Sequence, residues 1–559
     1  MEAYPEHPNL AAMMFACART WPDRTAFRAF RDGAWQATDW AEFARAAASL
    51  ARGLAARGLR PGDRVVVVAE NRPEVSIAET ALMAIRAVPV PAYVTNTVED
   101  HAHLLHDSGA RAAIVSTPLL AARLREAGAR ARGLDLLVAM DAPRPGEVAY
   151  AALASDPAPP DDVAAMAAGI SPETLACLIY TSGTGGAPRG VALPHRSLLA
   201  NCRGSFALLR PLLRPGREVY LSFLPMSHAY EHLVGLFFLP SLGTEIVCAR
   251  GVEHLAADMM AVRPTIMTVV PRVLEVIRAR TLSQIARQPA WRRTLFEKAL
   301  AVGLRRVEGR PGIADRLAGP LLDRLVAAEV RARFGGRFRA AMCGGARLEP
   351  EVGQFFRALG MHVMQGYGQS EAGPVISANP PGATRIETVG RPLAGVDLRI
   401  AEDGEILVRG DLVMDGYWRD PAATAAVLRD GWLHTGDIGA LDADGYLSIT
   451  DRKRDIIVLS GGENVSPARV EGMLMAEPEI AQAVVSGEGS SGLTALVVPA
   501  EGADEVAVAV AVTRANKRLA IAERVRRHRI VAPFTQENGL LTATQKIRRR
   551  LVLEREAAG

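Results

Sequence analysis

Thr181, Ser182 and Thr184 lie in a glycine run, Thr181-Ser182-Gly183-Thr184-Gly185-Gly186, with Arg189 just beyond it. Three hydroxyls can donate to phosphate oxygens. Small residues let the backbone turn tightly and aim its N–H groups at one point, and a guanidinium adds fixed positive charge. Such a loop suits a polyphosphate, although a Ser/Gly connection with no ligand uses the same residue types. Both flanks are apolar, so Leu178–Pro194 reads as a strand, a glycine-rich loop and a second strand.

Two other phosphate loops are excluded. Gly185 and Gly190 have the spacing of a Walker loop, but Val191 stands where that loop needs a lysine. Gly487, Gly489 and Gly492 have dinucleotide-fingerprint spacing, but Leu493–Val498 reads as a strand where a helix is required. That stretch is a hairpin turn. No G-x-S-x-G elbow occurs, which argues against a serine hydrolase.

The elements that must position the loop alternate helix and buried strand. Asp39–Leu59 has helical apolar spacing, with Asp39 and Glu42 placed as a capping box. The turn at 60–63 leads into the apolar strand Arg64–Val68, then a helix over Pro73–Ala87 and a strand over Val88–Val94. Asp107–Val115 and Leu134–Met140 continue the pattern of a parallel sheet covered on both faces. Ala154–Asp162 reads as a surface loop. Past the glycine run, strands are expected at Tyr220–Pro225, Glu245–Ala249, Thr265–Val270, Phe338–Cys343 and Leu359–Gln365, with Met259–Arg263 a helix end and Arg272–Phe334 a long helical stretch. Several strands end in glycine or polar residues: Met226-Ser227-His228, Gly344-Gly345-Ala346 and Gly366-Tyr367-Gly368-Gln369-Ser370-Glu371. Ligands of open α/β sheets sit beyond strand carboxyl ends, so this convergence marks a site. After Leu398 the texture becomes β-rich. The charged run Asp451–Asp455 marks a domain boundary, and a small α/β unit follows, in which Val506–Val512 reads as a helix core.

At 559 residues the chain exceeds a single core. Hydrophobic content of 49% and charged content of 23% are those of a globular protein, and a net charge of +4 gives no default for nucleic acid. Five cysteines form no CxxC pair, so neither a zinc nor a disulfide framework is expected, and a reducing cytosol fits. The first ten residues lack a signal-peptide pattern, and the apolar run Leu233–Leu239 is too short to span a bilayer.

Six motifs then occur in the order of one family: YTSGTGGAPRG (180–190), GYGQSE (366–371), TGD (435–437), DRKRD (451–455), SGGENVSP (460–467) and TATQKIRRR (542–550). The chain resembles the adenylate-forming acyl-CoA synthetases over nearly its whole length. Segments 222–235, 264–277 and 534–550 are most similar to the long-chain fatty acid branch. The resemblance implies an α/β fold with two domains. Residues 1–451 form a large N-terminal domain of helix-covered sheets with a small β-rich section, binding ATP and the acyl group. Residues 452–559 form a small mobile C-terminal α/β domain carrying a catalytic lysine. It implies activation of a fatty acid by ATP to acyl-AMP and then transfer to CoA.

By that resemblance Thr181, Ser182, Gly183 and Thr184 hold the β- and γ-phosphates, and Glu371 with Thr184 ligates Mg²⁺. Ser370 bonds the α-phosphate. Gly345, Ala346 and Tyr367 frame the adenine, with Gly366 and Gly368 in the same AMP site. Asp437 takes the ribose hydroxyls, assisted by Arg452. Lys546 is the ammonium between carboxylate and α-phosphate, two anions that must meet. His228 lines the acyl and phosphate entry, and Arg454 is the hinge. Read without the family, Asp437 is a turn residue, His228 a satisfied histidine at a strand end, and Lys546 one cation in a basic tail.

The loop departs from the family pattern T-T-G-K-P-K-G: Gly185 replaces a hydroxyl and Ala187 a lysine, while Arg189 keeps a charge. Weaker ATP affinity with retained activity is expected. The basic cluster Arg524–Arg529 reads as a solvated helix face, with CoA phosphates or an anionic membrane as the alternatives. Phe223–Pro240 suits either an acyl tunnel or plain core. Partners are small molecules, not nucleic acid, and the expected location is cytoplasmic. Peripheral membrane contact, a homodimer, and a carrier protein in place of CoA stay open, as does a non-catalytic nucleotide- or lipid-binding relative.

Overall fold

Arg64–Val68 is a strand whose four valines are buried, paired in parallel with Val88–Ala92 on one side and Ala112–Val115 on the other. Leu136–Ala139 adds a further parallel strand. β-Branched side chains suit a strand covered on both faces. In this computed structural model residues 3–131, 133–155, 158–181, 187–461, 463–542 and 547–558 are described. They fall into two units: Met1–Thr181, Arg189–Asp397 and Arg409–Gly431, and Ser182–Pro188, Leu398–Val408 and Trp432–Gly559.

The first unit also holds a nine-stranded sheet. From one edge to the other it runs Arg391–Pro392, Val375–Ala378, His362–Gly368, Ala340–Cys343, Ile266–Val269, Val219–Ser222, Glu245–Cys248, Thr25–Arg31 and Ala34–Asp39. From His362–Gly368 to Thr25–Arg31 every neighbouring pair is parallel. Chain order reverses between Val219–Ser222 and Ile266–Val269, which makes that crevice a topological switch point. The helical stretch beyond it is broken into Pro271–Ala286, Ala290–Val307, Ile313–Leu322, a π-turn Asp323–Ala327 and Ala328–Ala332. Phe296, Val326 and Val330 pack from it against Met267, Phe355, Phe356 and Val363 in one buried cluster.

Some expected boundaries shift for local reasons. Asp107 does not begin a strand: Thr97 and Asp100 form a reciprocal capping box that opens the helix Val98–Ser108, and Gly109 closes it at φ +67°. The strand is Ala112–Val115 alone. Pro160 occupies the first turn of a helix, Pro160–Ala168, so only part of Ala154–Asp162 is loop. Asp39 caps the helix Trp40–Ala56, its carboxylate accepting from the Glu42 N–H, which is one half of the expected capping box.

In the second unit Glu405–Arg409, Trp432–Leu441 and Leu447–Arg452 form an antiparallel meander. Ile480–Ser486 and Leu493–Pro499 form the hairpin expected around Gly487–Gly492. The Arg524–Arg529 cluster is not a helix face. Val525–Ile530 is a strand parallel to Leu493–Pro499, with Arg526, Arg527 and Arg529 exposed. Glu505–Asn516 is the helix expected over Val506–Val512. It buries Val508, Ala511 and Val512 and leaves Val506 and Val510 in solvent.

Candidate active site

The glycine-rich stretch is a hairpin. Leu175–Thr181 pairs antiparallel with Arg189–Pro194, Tyr180 opposite Gly190 and Thr181 opposite Arg189. Thr181 thus ends the first strand, while Ser182, Gly183, Thr184, Gly185 and Gly186 lie outside the described residues. Gly416–Tyr417 pairs with the second strand, Tyr417 opposite Val191. Arg189 is drawn to that side: its guanidinium lies 5.4 Å from the centre of the Tyr417 ring and 3.5 Å from Asp420 Oδ2.

The same tyrosine reaches the second motif. Its hydroxyl donates to Glu371 Oε1 at 2.8 Å, and the Met414 N–H donates to the Glu371 carbonyl. Glu371 sits in the short turn Ser370–Ala372 that follows His362–Gly368. Asn201, buried on the helix His195–Leu209, fixes this turn from behind. It donates to the Ala372 carbonyl at 2.9 Å and accepts from Val375 N–H at 2.9 Å. Gly368 is obligatory here, because a Cβ would stand 1.8 Å from the Pro374 carbonyl oxygen.

One strand inward, Gly344, Gly345 and Ala346 follow Ala340–Cys343, with Gly345 and Ala346 exposed and Gly345 at φ +82°. Gln365, buried between these motifs, accepts from Leu348 N–H at 2.7 Å and donates to the Thr388 carbonyl at 3.1 Å. It ties the Gly344–Leu348 loop to the strand that leads into Gly366 and Tyr367.

At the switch point His228 caps the helix Ala229–Leu233, its Nδ1 accepting from Tyr230 N–H at 3.3 Å. The Tyr230 ring lies against Gly344 and its hydroxyl donates to the Met342 carbonyl, so the His228 turn abuts the Gly344 loop. Asn71 holds the approach to His228, donating to the Leu224 carbonyl at 2.7 Å and accepting from Met226 N–H at 3.0 Å. Below the turn the Glu231 carboxyl is fully buried and accepts from Tyr220 and Ser222 hydroxyls at 2.6 Å and from Thr268 at 2.9 Å. Burial pushes its pKa up to about 7 against the pull of those three hydroxyls.

The first unit thus brings Thr181, His228, Gly345, Ala346, Gly366, Tyr367, Gly368, Ser370 and Glu371 to the carboxyl ends of its strands. Sequence reasoning passed over Asn71, Asn201, Gln365 and Tyr417. Asn71 carried a usable signal, since it begins a polar turn just past the apolar strand Arg64–Val68. Tyr417 carried none.

The second unit holds the other candidates. Asp437 and Arg452 are cross-strand partners, with Arg452 Nε 3.4 Å from Asp437 Oδ1. Asp437 is buried and Arg452 exposed. The Gly436 N–H donates to Glu405 at 2.9 Å, and Lys453 donates to the other Glu405 oxygen at 3.0 Å, which fixes the Thr435–Asp437 part of the strand, where Gly436 takes φ +71°. Arg454 is exposed in the turn after Arg452, where the Asp455 N–H bonds the Arg452 carbonyl. Lys546 lies outside the described residues, but the residues around 543–546 are anchored. Leu541 and Ile547 pair across an antiparallel bridge, and Arg549 donates to Glu471 at 2.5 Å and to the Val485 carbonyl at 2.8 Å.

Among the described residues no cluster of three His, Cys, Asp or Glu side chains could hold a metal. The donor set fits a magnesium ion that brings its own phosphate ligands: Glu371 offers one carboxylate, with Oε1 already oriented by Tyr417.

The model of the AMP-binding enzyme family matches residues 14–418, and that of the AMP-binding enzyme C-terminal domain matches residues 454–557. The chain is 35% identical to the long-chain-fatty-acid–CoA ligase FadD15 of Mycobacterium bovis, over 99% of this chain and 96% of that protein. It is 32% identical to human long-chain-fatty-acid–CoA ligase 1, over 78% and 66% of the two chains. Among solved structures, ATP-bound MatB from Rhodopseudomonas palustris superposes with a TM-score of 0.74 at 23% identity, covering 98% of both chains. The AMP complex of the O-succinylbenzoate-CoA synthetase MenE from Bacillus subtilis does so with a TM-score of 0.72 at 23% identity, again over 98% of both. These two share the fold. The chain belongs to the AMP-binding family of adenylate-forming enzymes.

Proposed function

We propose that this protein joins a long-chain fatty acid to CoA in two steps driven by ATP. In the first, a carboxylate oxygen attacks the α-phosphorus, an acyl–phosphate bond forms and pyrophosphate leaves. In the second, the CoA sulfur attacks the acyl carbonyl, AMP leaves and the thiol proton passes to solvent. The reading is supported by full-length similarity to long-chain-fatty-acid–CoA ligases and by Tyr417, which pairs beside the hairpin and donates to Glu371 at the end of the neighbouring sheet.

Both steps need alignment and charge neutralisation more than covalent help from the protein. Thr181, Ser182, Gly183 and Thr184 take the β- and γ-phosphates, and Ser370 takes the α-phosphate. Tyr367 stacks on the adenine, framed by Gly345, Ala346, Gly366 and Gly368. Glu371 and Thr184 would hold Mg²⁺, which supplies charge neutralisation on the phosphates. Asp437 accepts from the ribose hydroxyls, with Arg452 beside it. Lys546 neutralises the approach of carboxylate to phosphate, and His228 lines the acyl entry. Arg454 serves as the hinge of the small domain.

The test is formation of AMP and thioester by purified protein with ATP, Mg²⁺ and CoA across fatty acids of graded length, beside Lys546→Ala. Thioester with wild type alone supports the reading, and the length profile names the acid. Acyl-AMP accumulating without thioester would move the acceptor to a carrier protein. No ATP consumption with any acid would overturn catalysis.

A further inference from the structure

The helix Ile313–Leu322 turns an apolar face to solvent. Ile313, Leu317, Leu321 and Leu325 follow one another at four-residue intervals and are 80%, 78%, 60% and 50% exposed. Four-residue spacing puts them on one ridge, about 18 Å long. The opposite face holds the helix to the protein: Gly319, Val326 and Val330 are buried, and Leu322 packs against the core beneath the sheet. Isolated exposed leucines are ordinary, but a continuous ridge of them marks a contact surface.

The charges beside the ridge identify its occupant. Both aspartates of this segment are tied to arginines, Asp315 to Arg305 at 2.6 Å and Asp323 to Arg331 at 2.7 Å. Arg310, Arg316 and Arg324 are exposed and form no ion pair among the described residues, and Arg306 is exposed beside the already paired Asp323. Glu308 and Glu329 are the exposed acids left nearby, so the surround is net positive. The ridge itself is a convex row of aliphatic side chains. Protein interfaces are anchored mainly by aromatic side chains or arginine at their centre, and leucine is under-represented there; the ridge is wholly aliphatic, with no aromatic residue in 306–332 and its arginines at the flanks. A bilayer needs no such anchor: aliphatic side chains enter the acyl boundary while arginines remain with anionic headgroups.

We propose that the Ile313–Leu325 ridge docks this protein onto an anionic lipid bilayer. The contact is peripheral, since among the described residues no helix is long and apolar enough to cross a membrane. It stands on this surface alone and does not depend on the reaction.

The test is co-flotation of the full-length protein with phosphatidylcholine vesicles, with and without phosphatidylglycerol, at low and high salt. Leu317→Glu/Leu321→Glu and Arg316→Glu/Arg324→Glu run beside wild type. Each variant is expected to keep the wild-type melting temperature and thioester formation from a short, water-soluble acid. Wild type is expected to float with phosphatidylglycerol vesicles, more weakly at high salt, and each variant at least about tenfold less. Failure of wild type to float, or equal flotation of the leucine variant, overturns the proposal. So does a wild-type dimer that the leucine variant breaks without any vesicle binding, which would assign the ridge to a second copy. Vesicle binding by a protein that forms no thioester would refute the reaction and leave this surface standing.

Discussion

The Tyr417 hydroxyl donates to Glu371 Oε1 across 2.8 Å, and Tyr417 lies beside the strand Arg189–Pro194 that follows the glycine-rich stretch. One side chain therefore couples the orientation of the proposed magnesium ligand to the proposed phosphate hairpin. A hydrogen bond to a charged group is worth about 1.5–3 kcal/mol. Tyr417→Phe is expected to lower kcat/KM about 10- to 100-fold and to raise the Mg²⁺ concentration needed for half-maximal rate, with an unchanged fold. Initial rates across a magnesium titration measure it. A variant with wild-type magnesium dependence would show that the bond is structural only.

Arg189 retains the positive charge of the loop, but shares it with Asp420 and the Tyr417 ring. Ala187 is exposed and supplies no charge. Ala187→Lys is expected to lower KM for ATP about three- to tenfold, the effect of one added surface cation on a polyphosphate, while kcat changes less than about twofold. Initial rates at varied Mg-ATP decide it, and an unchanged KM would mean that the backbone donors already carry the affinity.

These two cases show which parts of the site were legible. Glycine and hydroxyl residues announce themselves where apolar strands end, because backbone that turns sharply or approaches a ligand tolerates few other residues. Gly345, Gly368 and the Tyr180–Gly190 hairpin were found that way, and the parallel sheet followed from valine runs such as Val65–Val68. The supporting residues were not legible. Tyr417 meets Glu371 46 positions away, Asn201 meets Ala372 171 positions away, and Asn71 meets Leu224 153 positions away. No local spacing encodes such pairs. The Arg524–Arg529 cluster was misread for a related reason. Its charges suggest a solvated face, and only pairing with Leu493–Pro499 makes it a strand.

Glu471 and Arg549 lie 78 positions apart, yet the guanidinium reaches the buried carboxylate three residues beyond Lys546. Burial already pushes the Glu471 carboxyl up to about 7, so without Arg549 it takes a proton rather than keeping a bare charge, and the lost bond costs about 1–3 kcal/mol. Arg549→Met is expected to destabilise the second unit by about that amount and to lower kcat for adenylate formation by loosening the end of the Lys546 segment. Denaturant melts and pyrophosphate release measure the two effects. The double variant Glu471→Gln/Arg549→Met is expected to recover much of the stability but not the rate.

Glu231 gives the stability of the first unit a pH dependence of defined sign. Burial lifts its pKa to about 7 from the model-compound value of 4.5, and three hydroxyls only partly oppose the shift. Between those two pH values the folded chain keeps the proton while the unfolded chain has lost it. Stability is then fully present below about pH 4.5 and falls as pH rises toward 7, by about 3 kcal/mol over the interval. Glu231→Gln keeps the neutral amide shape and removes the titration. The variant's stability is expected to match or fall slightly below wild type at pH 5 and to exceed it at pH 8, as measured by urea denaturation across that range. Parallel curves for the two proteins would show that Glu231 is ionised in the fold, held by the Tyr220, Ser222 and Thr268 hydroxyls rather than neutralised by its burial.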